Sequence, residues 1–256
     1  EEVSRHDEAS QPNESADPDS VVQKAIPAAL RDKFEIYSYR SAATILTQSH
    51  PDEFADLHKA LADFTITERM IRVAGGNESE IPKLLSAMLR PRGWYETIIR
   101  GDLLVELISK RRTGVDRKGK DKFEQSRREI VRERYLDGHK IDFVKGKVAF
   151  DLEWNSKDQT FDRDLYAFSA FAQTGIIDVG VIVTRGAAMT EFIRRLGPAL
   201  KKNGDIETKN GEPRTTAAKY GASTTWMGKL LYRLNAGRNG ACPVLVFGIK
   251  PECVVG

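Results

Sequence analysis

The sequence predicts an α/β fold in which a mixed central sheet is flanked by helices. Residues 147–155 and 176–184 have the composition of strands, and the second segment is almost continuously apolar, as expected of a strand buried on both faces. The segment between them, 160–174, has the spacing of an amphipathic helix. This strand–helix–strand order favours a mixed sheet with helices on both sides.

The first 20 residues predict a disordered acidic tail. They contain seven acidic residues and one arginine, for a net charge of −6, and they have no apolar periodicity. The whole chain has a net charge of +3, so the rest of the chain carries +9. A basic body of this kind suits a polyanionic partner such as DNA.

Residues 21–92 predict a helical N-terminal part. Apolar side chains recur there at helical spacing and form stripes that can pack against a core. The clearest stripe consists of Phe54, Leu57, Leu61 and Phe64. We expect this part to pack onto an α/β core over 93–256, so that residues 21–256 form a single domain.

Residues 95–122 predict two short strands and a basic loop. The apolar runs in 95–108 are interrupted at Arg100-Gly101-Asp102, which indicates a turn between strands. Residues 110–122 (KRRTGVDRKGKDK) are basic and contain glycine. They form either a solvated surface loop or a loop that contacts DNA phosphates, and the sequence leaves both readings open.

The remaining segments complete the predicted sheet and its covering helices. They are a short strand, two helices and a last buried strand, over 140–145, 189–200, 215–234 and 244–249 respectively. A turn is expected near Gly146, and the second of these helices has a potential break at Gly221.

The composition excludes several classes of protein. Hydrophobic residues make up 40% of the 256 residues and charged residues 30%, which is typical of a globular protein. No apolar run approaches the roughly 18 residues that a membrane helix needs, so we expect no membrane association. Two cysteines, Cys242 and Cys253, are too few for a disulfide framework and fit a reducing cytoplasm.

The segment KVAFDLEWN, residues 147–155, carries the strongest chemical signal. Side chains alternate between the two faces of a strand, so its apolar and polar side chains fall on opposite faces. The polar face would consist of Asp151, Glu153 and Asn155. Two carboxylates on one strand face repel each other, and burying them is costly unless something compensates their charge. A divalent cation is the usual compensation.

A third carboxylate, Asp142, lies in the preceding predicted strand. Eight residues separate it from Asp151, and pairing of the two strands around Gly146 would bring it to the same end of the sheet as Asp151 and Glu153. Three oxygen ligands without a suitable His or Cys cluster favour Mg²⁺ over zinc. Such a site can activate water for the hydrolysis of phosphodiester bonds.

This arrangement resembles the PD-(D/E)XK nucleases, and more narrowly the type II restriction endonucleases of the BamHI- and BglII-like group. The resemblance lies in Ile141-Asp142, the eight-residue gap, Asp151-Leu152-Glu153, and a following helix that leads to IDVGVIV at 177–183. It covers 141–185 well and 224–249 loosely. It implies Mg²⁺-dependent, sequence-specific cleavage of double-stranded DNA by a homodimer, with a cognate DNA methyltransferase in the same restriction–modification system.

The resemblance also implies residue roles. Asp142 and Asp151 would bind the metal, and Glu153 would take the position that most of the superfamily fills with Lys. In that position Glu153 can act as a general base or as a further metal ligand. The first acid of the second pair is Asp here rather than Glu. An alternative register therefore makes Glu153 the second acid, with Asn155 in the Lys position or with Lys157 recruited in its place.

Two segments are candidates for DNA contact. Residues 156–163 follow the catalytic strand and supply Lys157 and Arg163, although they also suit the N-terminal cap of a helix. The run at 219–239 is rich in donors for phosphates and base edges, namely Lys219, Thr224, Thr225, Lys229, Arg233, Arg238 and Asn239. A core helix with a solvated basic face explains 224–234 equally well.

The leading hypothesis is thus a type II restriction endonuclease that cuts a palindromic site as a homodimer. One alternative is a DNA repair nuclease of the same superfamily that recognises DNA structure instead of sequence. The other is a DNA-binding protein without catalysis, which the absence of the usual Lys would fit and the retained Asp142, Asp151 and Glu153 would not.

Overall fold

The computed structural model describes residues 10–73 and 79–255. The described residues form two compact units, one consisting of the residues up to Thr97 together with those from Lys140 onward, and the other of Ile98–His139. This second unit lies within the single domain that the sequence predicts over 21–256. It arises because two strands in this region are much longer than the short strands that the sequence predicts.

The helices are short and flank the sheet. They are α1 (Asp19–Ala25), α2 (Ala28–Lys33), α3 (Ala42–Ser49), α4 (Pro51–Asp63), α5 (Glu68–Val73), α6 (Glu80–Leu89), α7 (Thr160–Gln173), α8 (Ala187–Arg195) and α9 (Met227–Asn235). Single turns of 3₁₀ helix occur at Arg90–Arg92, Thr216–Lys219 and Pro251–Cys253.

The strands form one main sheet and two small pairs. They are β1 (Phe34–Tyr39), β2 (Ile66–Thr67), β3 (Tyr95–Val115), β4 (Asp121–Lys145), β5 (Val148–Glu153), β6 (Val179–Arg185), β7 (Thr208–Lys209), β8 (Glu212–Pro213), β9 (Val244–Ile249) and β10 (Val254–Val255). The small pairs are β10 with β2 and β7 with β8.

The main sheet of the described residues has six strands in the order β1-β9-β6-β5-β4-β3. Its centre is parallel, because β5 pairs in parallel with β6, and β6 in parallel with β9. Antiparallel strands flank this centre, since β4 pairs with β5 and β1 pairs with β9. The mixed α/β fold predicted from the sequence is confirmed.

The N-terminal part contributes a strand as well as helices. β1 begins at Phe34, which pairs with Ile249 of β9, and it forms one edge of the main sheet. The helical assignment of 21–92 therefore overlooked β1, as well as the two-residue strand β2. The apolar run of β1 is only six residues long and lies between helices, so the sequence pattern alone does not separate it from a helix.

Most elements near the predicted site lie where the sequence places them. The strands expected over 147–155, 176–184 and 244–249 are β5, β6 and β9, and the helix expected over 160–174 is α7. The helix expected over 189–200 is α8, which begins two residues earlier and ends at Arg195. Helix α7 packs closely on the sheet, because a side chain at Gly180 of β6 would overlap the Phe168 ring.

Two predicted segments have a different structure. The turn expected at Arg100-Gly101-Asp102 is absent, because β3 runs without interruption from Tyr95 to Val115. The helix expected over 215–234 begins only at Met227. Residues before it instead pair with the segment that follows β5, with the backbone N–H of Thr225 donating to the Ser156 carbonyl at 2.9 Å.

The predicted acidic tail is ordered where the structure describes it. Residues 1–9 lie outside the described residues, whereas α1 already begins at Asp19. The Asp17 carboxylate accepts hydrogen bonds from the Ser38 hydroxyl at 2.5 Å and from the Ser41 backbone N–H at 2.9 Å. These bonds attach the segment to the end of β1, so Asp17 has a structural role that composition did not indicate.

The second unit, Ile98–His139, is a two-stranded antiparallel ribbon made of β3 and β4. A turn at 116–120 joins the strands, and the Asp116 carboxylate accepts from the backbone N–H groups of Lys118 at 2.8 Å and Lys120 at 2.9 Å. The basic loop predicted over 110–122 is therefore mostly strand with a short turn. We call residues 110–122 the tip of the ribbon, and 98–109 with 123–139 its stem.

Among the described residues we find no helix with the length and apolar character that crossing a membrane requires.

Candidate active site

Strand β5 holds the two central carboxylates of the site. Asp151 and Glu153 are 3% and 5% exposed, and every residue of β5 is buried because the strand lies inside the sheet with α7 packed over it. The pairing of Asp151 with Ile182 and of Glu153 with Thr184 fixes both at the end of the parallel strands. The strand that the sequence predicts thus carries two fully desolvated acids.

Strand β4 brings Asp142 next to Asp151. The two strands pair as predicted, with Phe143 opposite Phe150, and the half-buried Asp142 follows as the next residue in register. Its backbone N–H donates a hydrogen bond of 2.8 Å to Oδ1 of Asp151. The approach of Asp142 to Asp151 that the spacing predicts is therefore present.

Helix α7 adds a fourth acid, Asp164, which the sequence analysis missed. Asp164 is 1% exposed and acts electrostatically on both Asp151 and Glu153. The sequence contained a usable signal, because Phe161, Asp164 and Phe168 lie at positions i, i+3 and i+7 of one helix face. The acid lies within an otherwise apolar stripe, of which Phe168 packs against Gly180 of β6.

Burial and mutual repulsion raise the pKa values of these acids. For Asp151, burial raises the pKa most, and the neighbouring carboxylates raise it further. For Glu153, burial raises the pKa to about 8, and the Asp164 carboxylate contributes in the same direction. Burial also raises the pKa of Asp164, to about 6, against the opposing effect of the Arg163 guanidinium. The cluster therefore resists being charged unless a cation accompanies it.

Arg163 is a cation in direct contact with this cluster. Its Nη2 lies 3.0 Å from Oδ1 of Asp164 and 3.7 Å from Oε1 of Glu153. Its side chain is 68% exposed, so it screens the two acids from the solvent side and does not replace an inner ligand. Its predicted role in DNA contact is compatible with this exposure.

The unsatisfied oxygens of the cluster fit a divalent cation. One carboxylate oxygen each of Asp151, Glu153 and Asp164 is buried without a hydrogen-bond partner among the described residues. Such orphaned oxygens are costly, and hard oxygen donors are what Mg²⁺ prefers. With the side chains in their present positions, the described residues contain no group of three His, Cys, Asp or Glu that already encloses a metal ion.

The two alternatives for the Lys position, Asn155 and Lys157, lie beyond the end of β5 and outside the carboxylate cluster. Strand β5 ends at Glu153, so the alternation expected to carry Asn155 to the carboxylate face ends before it. The Asn155 amide nitrogen donates to the Lys219 carbonyl at 3.2 Å instead. Lys157 is exposed, and its backbone forms an antiparallel bridge with Thr224.

Arg185, at the end of β6, connects the segments around the site. Its side chain is buried, with Nε donating to the Trp154 carbonyl at 2.9 Å and Nη2 donating to Oγ1 of Thr224 at 2.7 Å. A third bond runs to the Thr225 carbonyl at 2.6 Å. Arg185 therefore attaches the 223–225 segment to the end of β5, and nothing in its sequence context indicated this.

The predicted DNA-contact residues fall into two groups. Arg163 and Arg238 are exposed, and Thr224 and Lys229 are partly exposed. The buried members are Lys219, Thr225, Arg233 and Asn239, and these four do not offer their side chains to a ligand in this structure. The sequence alone does not distinguish these buried donors from exposed ones, because tertiary packing decides which side chains are buried.

Three of these four side chains have internal bonds, whereas the Thr225 hydroxyl is buried without a hydrogen-bond partner among the described residues. Lys219 Nζ lies 2.5 Å from Oε2 of Glu207. Arg233 Nη2 lies 2.9 Å from Oδ2 of Asp162, and the Asn239 amide donates to the Cys242 carbonyl at 2.7 Å. In this structure Lys219, Arg233 and Asn239 therefore use side-chain donors within the protein, and their contact with DNA stays a prediction.

The fold and the site together define a class of protein. A six-stranded mixed sheet flanked by helices, with acids buried on a central strand, is the restriction-endonuclease-like arrangement. A family model described as restriction endonuclease BglII/BglIII matches residues 34–249. The chain therefore belongs to this family of restriction endonucleases and is a DNA endonuclease. A search of curated proteins found no match to this chain.

The first prediction concerns the acid that the sequence analysis missed. We expect Asp164→Asn to lower DNA cleavage by about 10- to 100-fold, because the change removes one charge from the cluster while keeping the side chain's shape. Single-turnover cleavage measures this effect. Asp162→Asn is the control on the same helix, since Asp162 pairs with Arg233 and Arg238. A wild-type cleavage rate for Asp164→Asn would show that Asp164 has no part in cleavage.

Proposed function

We propose that this protein is a type II restriction endonuclease that uses Mg²⁺ to hydrolyse both strands of double-stranded DNA at a specific palindromic site. The observation that carries the proposal is the set of buried carboxylates with orphaned oxygens at the end of β5. Such acids cost stability without a cation, so their presence is best explained by a function that supplies one. Membership of a restriction endonuclease family makes DNA the substrate.

In this proposal, Asp142 and Asp151 hold the Mg²⁺ and Glu153 prepares the attacking water. Bound Mg²⁺ supplies a positive charge that offsets the charge developing on the phosphate. Asp151 is oriented by the N–H of Asp142, which keeps one oxygen fixed and leaves the other available. Glu153, whose pKa burial raises to about 8 in the metal-free protein, could accept the proton of a water molecule only once a cation has lowered that pKa.

Asp164 would complete this set. One of its oxygens is bonded to Arg163 at 3.0 Å and the other is orphaned. It acts electrostatically on Asp151 and Glu153, so it either contributes a ligand or orients a bound water. A carboxylate would then take the place of the Lys found in the wider superfamily. Asn155 would not fill that place, because its amide is bonded to the Lys219 carbonyl, and Lys157 would contact the DNA backbone.

DNA contacts would come from the exposed members of the predicted set. We expect Lys157→Ala to reduce the slope of log affinity against log salt concentration by about 0.9, as loss of one phosphate contact does. Fluorescence anisotropy with duplex DNA and no divalent metal measures this slope. Lys209→Ala, an exposed lysine in β7, is the control. An unchanged slope for the Lys157 variant would remove Lys157 from the DNA interface.

The remaining parts of the proposal follow from a palindromic target. Two copies related by a twofold axis would present one site to each strand, and we therefore propose a homodimer. A cognate DNA methyltransferase would protect the host DNA in a restriction–modification system of the prokaryotic cytoplasm. The two buried cysteines are free thiols, which suits a reducing compartment.

The experiment that tests the proposal is digestion of unmethylated phage DNA with Mg²⁺, beside a sample with chelator. Discrete bands that need the metal, with one common sequence at their ends, are the expected result. A metal-dependent smear, or cutting confined to branched DNA, would favour the repair-nuclease alternative. Sequence-specific binding without cutting would favour the inactive DNA-binding alternative.

A further inference from the structure

The ribbon, residues 98–139, exposes an unusual share of apolar side chains. Of the 14 large hydrophobic side chains that are exposed in the described chain, eight lie in this segment. They are Ile98, Leu104, Leu107, Ile108, Val115, Phe123, Val131 and Tyr135, and they are between 47% and 60% exposed. Large apolar surfaces of this kind usually mark a site of association.

The stem has the composition of a strand that is covered on both faces. The run Leu103-Leu104-Val105-Glu106-Leu107-Ile108 is apolar at every position except Glu106, so apolar side chains point to both faces of the ribbon. An isolated two-stranded hairpin is at best marginally stable in water, and further strands or packing are needed. Within its own unit, the ribbon consists of β3 and β4 alone.

Charge separates the stem from the tip. The tip, residues 110–122, contains seven basic and two acidic residues, for a net charge of +5. The stem contains five basic and six acidic residues, for a net charge of −1. The tip therefore has the charge to bind a polyanion. The stem is nearly neutral and apolar, so its expected partner is a protein surface that is also nearly neutral and apolar.

The outer edge of β3 offers a self-complementary pattern. β3 is the last strand in the sheet order, so in the described structure only β4 pairs with it. Antiparallel pairing of β3 with its own copy about Leu103 places Ile98 opposite Ile108 and Arg100 opposite Glu106. Each such pair occurs twice across the axis, as a twofold interface requires.

We propose that the stem of the ribbon binds the stem of a second copy of this chain, with β3 antiparallel to β3 about Leu103. The contact adds strands to the two-stranded ribbon and covers an edge that otherwise invites uncontrolled pairing. It gives the dimer of the proposed function its interface. The inference takes only the twofold arrangement from the proposed function. Association of the two copies is measured without DNA, metal or cleavage, so it can fail or hold independently of that function.

The first test measures molar mass in solution by sedimentation equilibrium, without DNA. The wild-type protein is expected to be a dimer at micromolar concentration, and Leu104→Glu with Ile108→Glu a monomer, because four charges would meet at the contact. Gln125→Glu with Ser126→Glu adds the same charge to β4 and is expected to remain dimeric. A monomeric wild type, or a dimeric Leu104/Ile108 variant, would overturn the proposal.

The second test is a charge reversal, which stays informative even if the apolar positions affect folding of the ribbon. Arg100→Glu and Glu106→Arg are each expected to weaken dimerisation at least about tenfold through like-charge contacts, and the double variant to restore it. Within the ribbon, Arg100 pairs with Asp137 and Glu106 with Arg127. If the two substitutions acted only through these pairs within the ribbon, the double variant would dimerise most weakly of all. That result would contradict the proposed pairing of Arg100 with Glu106 of the second copy.

Discussion

Replacing Asp151 with Asn is expected to reduce DNA cleavage by on the order of a thousandfold while leaving DNA binding intact. The amide keeps an oxygen for the hydrogen bond from the Asp142 N–H, so the local structure is retained. It removes the central negative charge of the cluster, and with it the strongest reason for a cation to bind. Single-turnover cleavage with Mg²⁺, and anisotropy without it, measure the two properties separately.

The same substitution should stabilise the metal-free protein. Asp151 is 3% exposed, and burial and three neighbouring carboxylates raise its pKa. A neutral amide removes that repulsion, and we expect the free energy of unfolding in chelator to rise by about 1–3 kcal/mol. A gain in stability combined with a loss of activity distinguishes a functional acid from a structural one.

Asp63→Asn is the matched control for both measurements. Asp63 is exposed at the end of α4, so its replacement should change neither cleavage nor stability by a measurable amount. If Asp151→Asn cuts DNA at the wild-type rate, the assignment of the site to β5 is wrong. If it loses both cleavage and DNA binding, a general loss of structure explains the result better.

The strands and acids that could be predicted from the sequence are those that depend on residue patterns within a short stretch of the chain. The alternation in β5 and the eight-residue gap to Asp142 place two strands and three acids, because neighbouring antiparallel strands have few possible registers. The buried strands β6 and β9 are equally clear from their continuous apolar runs. These features need no knowledge of distant contacts.

The missed features depend on contacts between distant parts of the chain. Asp164 is part of the site because α7 lies over the sheet, with Phe168 packed on Gly180. Gly101 stays extended in β3 because it lies opposite Leu136, so its usual preference for turns is overridden. Lys219 is a buried ion-pair partner of Glu207 although its sequence context resembles a basic surface. Each outcome was decided by tertiary neighbours.

Without divalent metal, the protein is expected to be less stable at pH 8 than at pH 5. Burial raises the pKa of Glu153 from 4.5 to about 8, so between these values the folded protein holds a proton that the unfolded chain releases. Stability therefore falls as pH rises through this window, by up to about 1.4 kcal/mol for each pKa unit. Over these three pH units we expect a loss on the order of 4 kcal/mol, measured by urea unfolding in chelator.

Glu153→Gln tests the origin of this pH dependence. The variant cannot ionise at position 153, so its free energy of unfolding should fall less between pH 5 and pH 8 than that of the wild type. Asp164, whose pKa burial raises to about 6, accounts for part of the remaining fall. Identical pH profiles for the variant and the wild type would show that Glu153 is not desolvated in solution. A smaller fall in the variant would mean that the metal-free fold disfavours the same Glu153 charge that the proposed mechanism requires.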